Sequence, residues 1–483
     1  MSGRRGLLAA LALLFAGAGL AARSVRAAPE KPVRRPNLVF ILSDDQRFDT
    51  MGCAGNRIIQ TPHMDALARG GVRFKNAFVT TPICAASRAT LLTGLYERTH
   101  HFTFSTPPLA DAFTDDSYPA RLRQAGYRTG FVGKFGVETE KGGQGRMFDY
   151  FRPLNRTPYF KKQPDGSERF VEDIVGDRAA EFLDGCKSDQ PFSLSVSFNA
   201  PHAEDNDPKQ YFWPTRFDSL YRNVNFPIPK TMSPAFWDKQ PEFLKNTESR
   251  VRYNWRFDEP QKYQEMVRGY YRMITAIDDV IGRVRTELDR RGLADNTVIV
   301  FMSDNGYFLG ERGFADKWYG YEYSLRVPMI VFDPRLEAAR KGKVADAVAL
   351  NVDIAPTLLD LAGIPAPARY QGRSLLPLLH GRAPADWRKE FFFEHLFERD
   401  NIPKSEGVRG ARWTYIRWFQ QQPVVEELYD HDADFEETRN LVHSAKQREV
   451  LQTLRARTDA LRESYGGPYV PRPKPQKAVA GGN

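Results

Sequence analysis

Asn37-Leu38-Val39-Phe40-Ile41-Leu42-Ser43-Asp44-Asp45-Gln46 decides the fold: five consecutive apolar residues run into two carboxylates. A strand with one wet face would alternate apolar and polar residues, so an unbroken run predicts a strand buried on both faces. Tyr127–Val132, Phe192–Phe198, Thr297–Met302 and Val327–Phe332 read the same way. Helical patterns precede most of them, among them Val171–Leu183 and the long Gln261–Arg291. This α/β order predicts a large, mixed or mostly parallel sheet flanked by helices on both faces.

Working outward, Asp205–Asp258 lacks clean periodicity and is rich in Pro, Trp and Phe, which predicts an irregular insertion near the site. A helix is expected over Val352–Ala362, and Gly363–Leu379, broken by Pro and Gly, reads as a connection. Short strands at Phe391–Phe393, Trp413–Phe419 and Val424–Leu428, with a helix over Lys446–Arg462, predict a smaller C-terminal α+β subdomain. The expected division is a catalytic domain over residues 36–370, a subdomain over 371–465, and a disordered Pro/Gly/Lys tail over 466–483. At the other end, Arg4-Arg5 precedes an apolar run, Leu7 to Ala22, too short and small for a membrane span. Residues 1–28 therefore read as a cleaved export signal, which places the protein in the periplasm or outside the cell, with no stable membrane span.

The formal charge of +9 does not point to nucleic acid, because it comes from the ends. Residues 1–36 hold seven basic groups against Glu30, and residues 467–483 add Arg472, Lys474 and Lys477 without an acid. Setting these aside leaves 59 basic and 59 acidic residues. The three cysteines, Cys53, Cys84 and Cys186, cannot all pair in an oxidising compartment. If Cys84 is chemically converted, Cys53 and Cys186 are left as a disulfide or as two buried thiols.

Asp44 and Asp45 fall at the carboxyl edge of the first strand, where open α/β sheets bind ligands, although such a pair serves equally as a turn or helix cap. Ser303-Asp304-Asn305-Gly306 repeats the arrangement after another strand, with Gly306 permitting a sharp exit. Three carboxylates and an amide oxygen make a hard oxygen cage, suited to Ca²⁺ or Mg²⁺ rather than zinc, and the histidines show no paired zinc spacing. Between these clusters lies Pro82-Ile83-Cys84-Ala85-Ala86-Ser87-Arg88-Ala89-Thr90-Leu91-Leu92-Thr93-Gly94, a loop entering a short helix that ends near Gly94. Cys84 at the helix start and Arg88 one turn on favour an anion, and taken alone they suggest a low-pKa thiolate nucleophile.

Cys84-Ala85-Ala86-Ser87-Arg88 resembles the C-x-P/A-S-R signature of the type I, formylglycine-dependent sulfatases, a family with the alkaline-phosphatase-like fold. The resemblance runs from Asn37-Leu38-Val39 through Asp304-Asn305-Gly306 to Glu427-Leu428-Tyr429-Asp430. It implies a sulfuric ester hydrolase whose Cys84 is oxidised by a formylglycine-generating enzyme that reads Cys84, Ala86 and Arg88. It also implies a calcium ion, in preference to magnesium, held by Asp44, Asp45, Asp304, Asn305 and the modified residue 84. Lys134 in Gly133-Lys134 matches a lysine beside the formylglycine, His202 in Ala200-Pro201-His202 a histidine at the sulfate, and Lys317 in Asp316-Lys317 the lysine at the leaving oxygen. The family's Gly-Lys-x-His reads Gly133-Lys134-Phe135-Gly136 here, so one histidine is missing, with Glu138, His100 and His101 as nearby candidate bases.

The implied substrate is a sulfate ester, expected on a sulfated carbohydrate. Asp205–Asp258, Trp318-Tyr319-Gly320-Tyr321 and Glu394-His395 offer aromatic and polar material to contact a sugar. The competing readings are a phosphate or phosphonate monoester hydrolase on the same fold, and a non-catalytic binder of sulfated glycans.

Overall fold

In the computed structural model, which describes residues 34–187 and 189–471, Asn37–Ser43 is a strand (β1) with all seven residues buried. It sits inside an eight-stranded mixed sheet. The other members are Val72–Phe74 (β2), Arg128–Gly133 (β3), Tyr150–Pro153 (β4), Phe192–Ser197 (β5), Thr297–Ser303 (β6), Met329–Phe332 (β7) and Lys343–Ala345 (β8), in the order β8-β2-β7-β6-β1-β5-β3-β4. β1 runs parallel to both β5 and β6, whereas β7 is antiparallel to β6 and β2. The five strands expected from apolar runs are all present. The three short ones, β2, β4 and β8, have too few apolar residues to show such a run.

Alternation along β1 divides its side chains between two cores. Val39 and Ile41 pack with Met64, Val175 and Ile277, from the helices Pro62–Gly70 (α1), Val171–Asp184 (α4) and Pro260–Arg290 (α6). Leu38, Phe40 and Leu42 pack on the opposite face with Ala89, Leu122 and Leu358, from Cys84–Thr93 (α2), Tyr118–Gln124 (α3) and Ile354–Leu361 (α7). Each such side chain contributes about 1.5–3 kcal/mol on burial, so a charge at Ile41 would open a core with nothing to pair it.

Glu390–His395 (β9), Ser405–Gly410 (β10), Trp413–Trp418 (β11) and Val425–Asp430 (β12) form a separate four-stranded antiparallel sheet. The helix Arg448–Ser464 (α8) covers it through Leu451 and Leu454. β10 is a strand that the sequence hides, since Ser-Glu-Gly-Val-Arg-Gly carries one large apolar residue. Trp318, Tyr319 and Tyr321 are buried with Phe391, Phe392, Phe393 and Trp418 in a third core. The rings of Trp318, Tyr319 and Tyr321, expected to face a sugar, instead pack between the C-terminal sheet and Phe308, Phe314 and Leu325. Glu394 and His395, expected at the substrate, are also fully buried.

The insertion Asp205–Asp258 is irregular as expected, apart from single helical turns at Pro234–Trp237 and Glu242–Lys245 and the longer helix Glu248–Arg256 (α5), whose apolar periodicity is masked by three arginines. The described residues from Arg35 to Pro471 fold as one compact unit. The expected signal, residues 1–28, lies outside the described residues, as do residues 472–483 of the expected tail. Gly466–Pro471 carry neither helix nor strand. Cys53, Cys84 and Cys186 are all free. No helix among the described residues is long and apolar enough to cross a membrane.

Candidate active site

Parallel pairing in the register Ser43↔Ser303 brings the carboxyl ends of β1 and β6 side by side, so the two acidic clusters become one. Asp304 N–H donates to Ser43 O at 3.1 Å, and Asp45 N–H donates to Asp304 Oδ1 at 3.2 Å. Asp45 has φ +69°, a left-handed conformation that Asp tolerates better than most residues. Tyr270 of α6 holds that turn by donating its hydroxyl to Asp45 O at 2.6 Å. Gly306 is needed for space, not for its φ: a Cβ there would lie 2.2 Å from Tyr323 O.

Cys84 opens α2, which is buried along its whole length and ends, as expected, at Gly94, in a left-handed cap. Ala85, Ala86 and Ala89 are good helix formers small enough for that close packing. Burial pushes the Cys84 thiol up, against the pull of Lys134 and Lys317. The low-pKa thiolate suggested by helix position is thus overturned: desolvation outweighs the nearby cations.

Arg88 crosses beneath the cluster. Its Nε donates to Asp304 Oδ2 at 2.8 Å, and its Nη1 donates to Lys134 O and Ser197 Oγ, both at 2.6 Å. Gly133 allows the chain to reach this point, because it has φ +96° and a Cβ would meet Ser197 O at 1.8 Å. The next residue, Lys134, donates through Nζ to Asp44 Oδ2. On the far side Lys317 Nζ donates to Asp45 Oδ1 at 2.5 Å. Burial raises Asp44, but Lys134, Arg88 and Lys317 outweigh it and bring its carboxyl to about 2. Asp45 is raised by burial to about 7, with Lys317 opposing and the other carboxylates reinforcing.

His202 is buried, its Nδ1 lies 2.7 Å from Ala203 O, and its Nε2 lies 3.5 Å from Asp45 Oδ2. Desolvation, aided by Arg156, Lys317 and Lys134, holds it well below the ordinary imidazole value. A neutral ring with Nδ1–H on a carbonyl leaves Nε2 as an acceptor.

Asp44 Oδ1, Asp45 Oδ2, Asn305 Oδ1 and Arg88 Nη2 are buried with no hydrogen-bond partner among the described residues. Three orphaned hard oxygens fit a calcium-like cation, and the orphaned guanidinium N–H fits an oxyanion. Donor atoms of Asp44, Asp45 and His202 all lie within 4.8 Å of one another. Asp304 and Cys84 stand outside that set. Both oxygens of Asp304 are already engaged, by Asp45 N–H and Arg88.

Gly136 is solvent-exposed, and a Cβ there would stand 3.1 Å from Arg88 Cδ and 3.8 Å from Lys134 Cε. The position of the missing histidine thus lies at the solvent-exposed edge of the cluster, beside Arg88 and Lys134. Glu138 is exposed, and His101 is exposed as well. His100 is engaged elsewhere, its Nδ1 accepting from Phe102 N–H and its Nε2 pairing with Thr90 Oγ1.

Sequence reasoning missed the support of this site. Asp316, beside Lys317, receives Arg252 Nη1 at 2.9 Å and Arg256 Nη1 at 2.8 Å, both from α5. Glu172 in the first turn of α4 accepts Asn199 N–H at 2.9 Å and Ala200 N–H at 2.8 Å, fixing the loop that carries His202. The i, i+4 arginines of α5 were the one visible signal, and the Asp316 they share lies 64 and 60 residues away.

A model of the sulfatase family matches residues 36–364, and a model of the N-sulphoglucosamine sulphohydrolase C-terminal region matches residues 310–464. An N-acetylglucosamine-6-O-sulfatase of Bacteroides thetaiotaomicron is 30% identical over 92% of this chain and 89% of its own length. A protein solved in complex with its substrate D-glucosamine-2-N,6-O-disulfate has a TM-score of 0.78 at 27% identity, covering 89% of this chain and 98% of that one. A phosphonate monoester hydrolase from Silicibacter pomeroyi shares the fold, with a TM-score of 0.75 at 22% identity over 89% and 96% of the two chains.

Proposed function

The chain belongs to the sulfatase family, enzymes that hydrolyse sulfate esters, and from that premise we propose that it removes sulfate from a sulfated carbohydrate, with 6-O-sulfated glucosamine as the leading candidate. The observation that carries this reading is the gathering of Cys84, Arg88, Lys134 and Lys317 around Asp44, Asp45 and Asn305, each of which still keeps one unpartnered oxygen. The sugar is supported by the names of the similar proteins, which act on N-acetylglucosamine and glucosamine sulfates.

A sulfate monoester is shielded by its own negative oxygens, so its hydrolysis needs charge neutralisation as much as a nucleophile. Arg88 Nη2, Lys134 Nζ and Lys317 Nζ would meet those oxygens. Asp44, Asp45 and Asn305, with Asp304 behind them, would hold calcium, which draws charge from the bound sulfate. Residue 84, if oxidised to formylglycine by a formylglycine-generating enzyme, would supply the nucleophile as an aldehyde hydrate, whose second hydroxyl would allow the sulfate to be released. Lys317, held protonated by Asp45 and Asp316 in spite of burial, carries at Nζ the proton for the departing alcohol. His202 Nε2, neutral, is the acceptor for a proton released on attack.

In this reading residues 36–370 carry the chemistry, residues 371–465 buttress it, and residues 1–28 direct export to the periplasm or beyond. The test is release of inorganic sulfate from glucosamine 6-sulfate and N-acetylglucosamine 6-sulfate, beside a matched aryl sulfate, aryl phosphate and phosphonate monoester. Release from the O6 position is expected. Turnover of the phosphonate above every sulfate would overturn the reading in favour of phosphonate hydrolysis.

A further inference from the structure

Asp205, three residues past His202, is shared by three guanidinium groups: Arg156 Nη2 at 3.5 Å, Arg252 Nη1 at 3.1 Å and Arg256 Nη2 at 2.5 Å. Arg252 and Arg256 have a second carboxylate in Asp316, and Arg252 a third in Glu248 at 2.9 Å. Arg156 has none. Its other polar contact is Nε donating to Ala203 O at 3.1 Å, and among the described residues its Nη1 has no hydrogen bond. The side chain of Arg256 is 0% exposed and that of Arg252 12%, whereas that of Arg156 is 25% exposed. Arg156 is thus the member of the group whose charge is least neutralised and most open to solvent.

Its position matters as much as its charge. Ala203 O, which Arg156 contacts, is also the partner of His202 Nδ1, so the guanidinium lies beside the imidazole whose Nε2 faces Asp45. Arg156 lowers His202, and its own charge is supported against burial by Tyr159, Asp44 and Asp205. The unpartnered Nη1 can give a sulfate or carboxylate a charge-assisted hydrogen bond in a direction fixed by the planar guanidinium, which a lysine reproduces only in part.

We propose that Arg156 reads a second anionic substituent, a sulfate or a carboxylate, on the saccharide that carries the scissile sulfate. This rests on the sulfated-carbohydrate reading above and narrows it to polyanionic sugars. The alternative role, bracing the Ala203–Asp205 loop, predicts no discrimination among ligands.

Binding to the Cys84→Ala protein, measured by titration calorimetry, separates the two without catalysis. The probes are glucosamine 6-sulfate, glucosamine 2-N,6-O-disulfate and a 6-sulfated glucosamine linked to a uronic acid. At least one doubly anionic probe should bind about tenfold more tightly than the monosulfate, as a charge-assisted pair at a partly buried site gives. Arg156→Gln should erase that preference, and Arg156→Lys should restore only part of it. Equal affinity for all three probes, or a preference that survives in Arg156→Gln, would overturn the subsite alone. Failure of every probe to bind would overturn the carbohydrate reading and the subsite with it.

Discussion

Two buried clusters of opposite charge show how burial serves stability in one place and chemistry in another. Beneath the C-terminal sheet, Arg98 donates its N–H and Nε to the two oxygens of Glu394 at 2.9 and 2.7 Å. Its Nη2 reaches Glu406 Oε2 at 2.7 Å, its Nη1 reaches Gly467 O at 2.6 Å, and Arg417 takes Glu406 Oε1. Every oxygen of both carboxylates has a donor. At the ends of β1 and β6 the charges are as deeply buried, yet Asp44, Asp45, Asn305 and Arg88 each keep an unpartnered atom. An unpaired buried polar group costs about 1–3 kcal/mol, so such a concentration persists where a ligand completes it.

The comparison breaks most visibly at the nucleophile. Cys84→Ala should lower sulfatase turnover by ~10⁴-fold or more, the scale of losing a nucleophile, while leaving the melting temperature nearly unchanged. Assay and thermal scan together check this. In the satisfied cluster the pattern should invert: Arg98→Ala leaves two buried carboxylates short of donors, and about 3–5 kcal/mol of stability should be lost in chemical denaturation. Turnover per folded molecule should stay within about twofold of the parent.

Asn305→Ala sharpens the contrast, since it removes one orphaned oxygen. Affinity for calcium, followed by metal analysis after dialysis, should fall about 10–100-fold, with little change in the melting temperature of the protein in chelator. Stoichiometric zinc that tracked activity would contradict the hard-oxygen site.

The smallest effect is expected at Glu172, whose Oε1 is satisfied and whose Oε2 is not. Burial raises this carboxyl to about 8, opposed by the Asn199 and Ala200 amides, from an ordinary value of 4.5. The folded protein then holds this proton more tightly than the unfolded chain, so its contribution to stability declines as pH rises from about 4.5 through about 8. Glu172→Gln should flatten that decline and raise the melting temperature at pH 8 by about 1–2 °C.

How much of this was legible in the sequence follows from the range of the interactions. Continuous apolar runs mark β1, β3, β5, β6 and β7 because both faces of each strand are buried, a local signal. The short strands β2, β4, β8 and β10 owe their existence to neighbours already in place. Cys84, Arg88, Asp44, Asp45, Asp304 and Asn305 sit in short motifs at strand or helix ends, and the structure gathers them. Arg156, Asp205 and Glu172 were invisible, and the α5 arginines showed only their i, i+4 spacing, since each is defined by a partner in another segment. Trp318 and Tyr319 were misassigned to the substrate because an aromatic residue reads alike whether it lines a pocket or fills a core.

The central claim is that residue 84 acts as an aldehyde rather than a thiol, and the mass of its peptide from fully active protein tests that directly. Oxidation should leave the peptide about 18 mass units lighter than the cysteine form, with the loss localised to residue 84 by fragmentation. Protein that releases sulfate at full rate while residue 84 carries an intact thiol would contradict it.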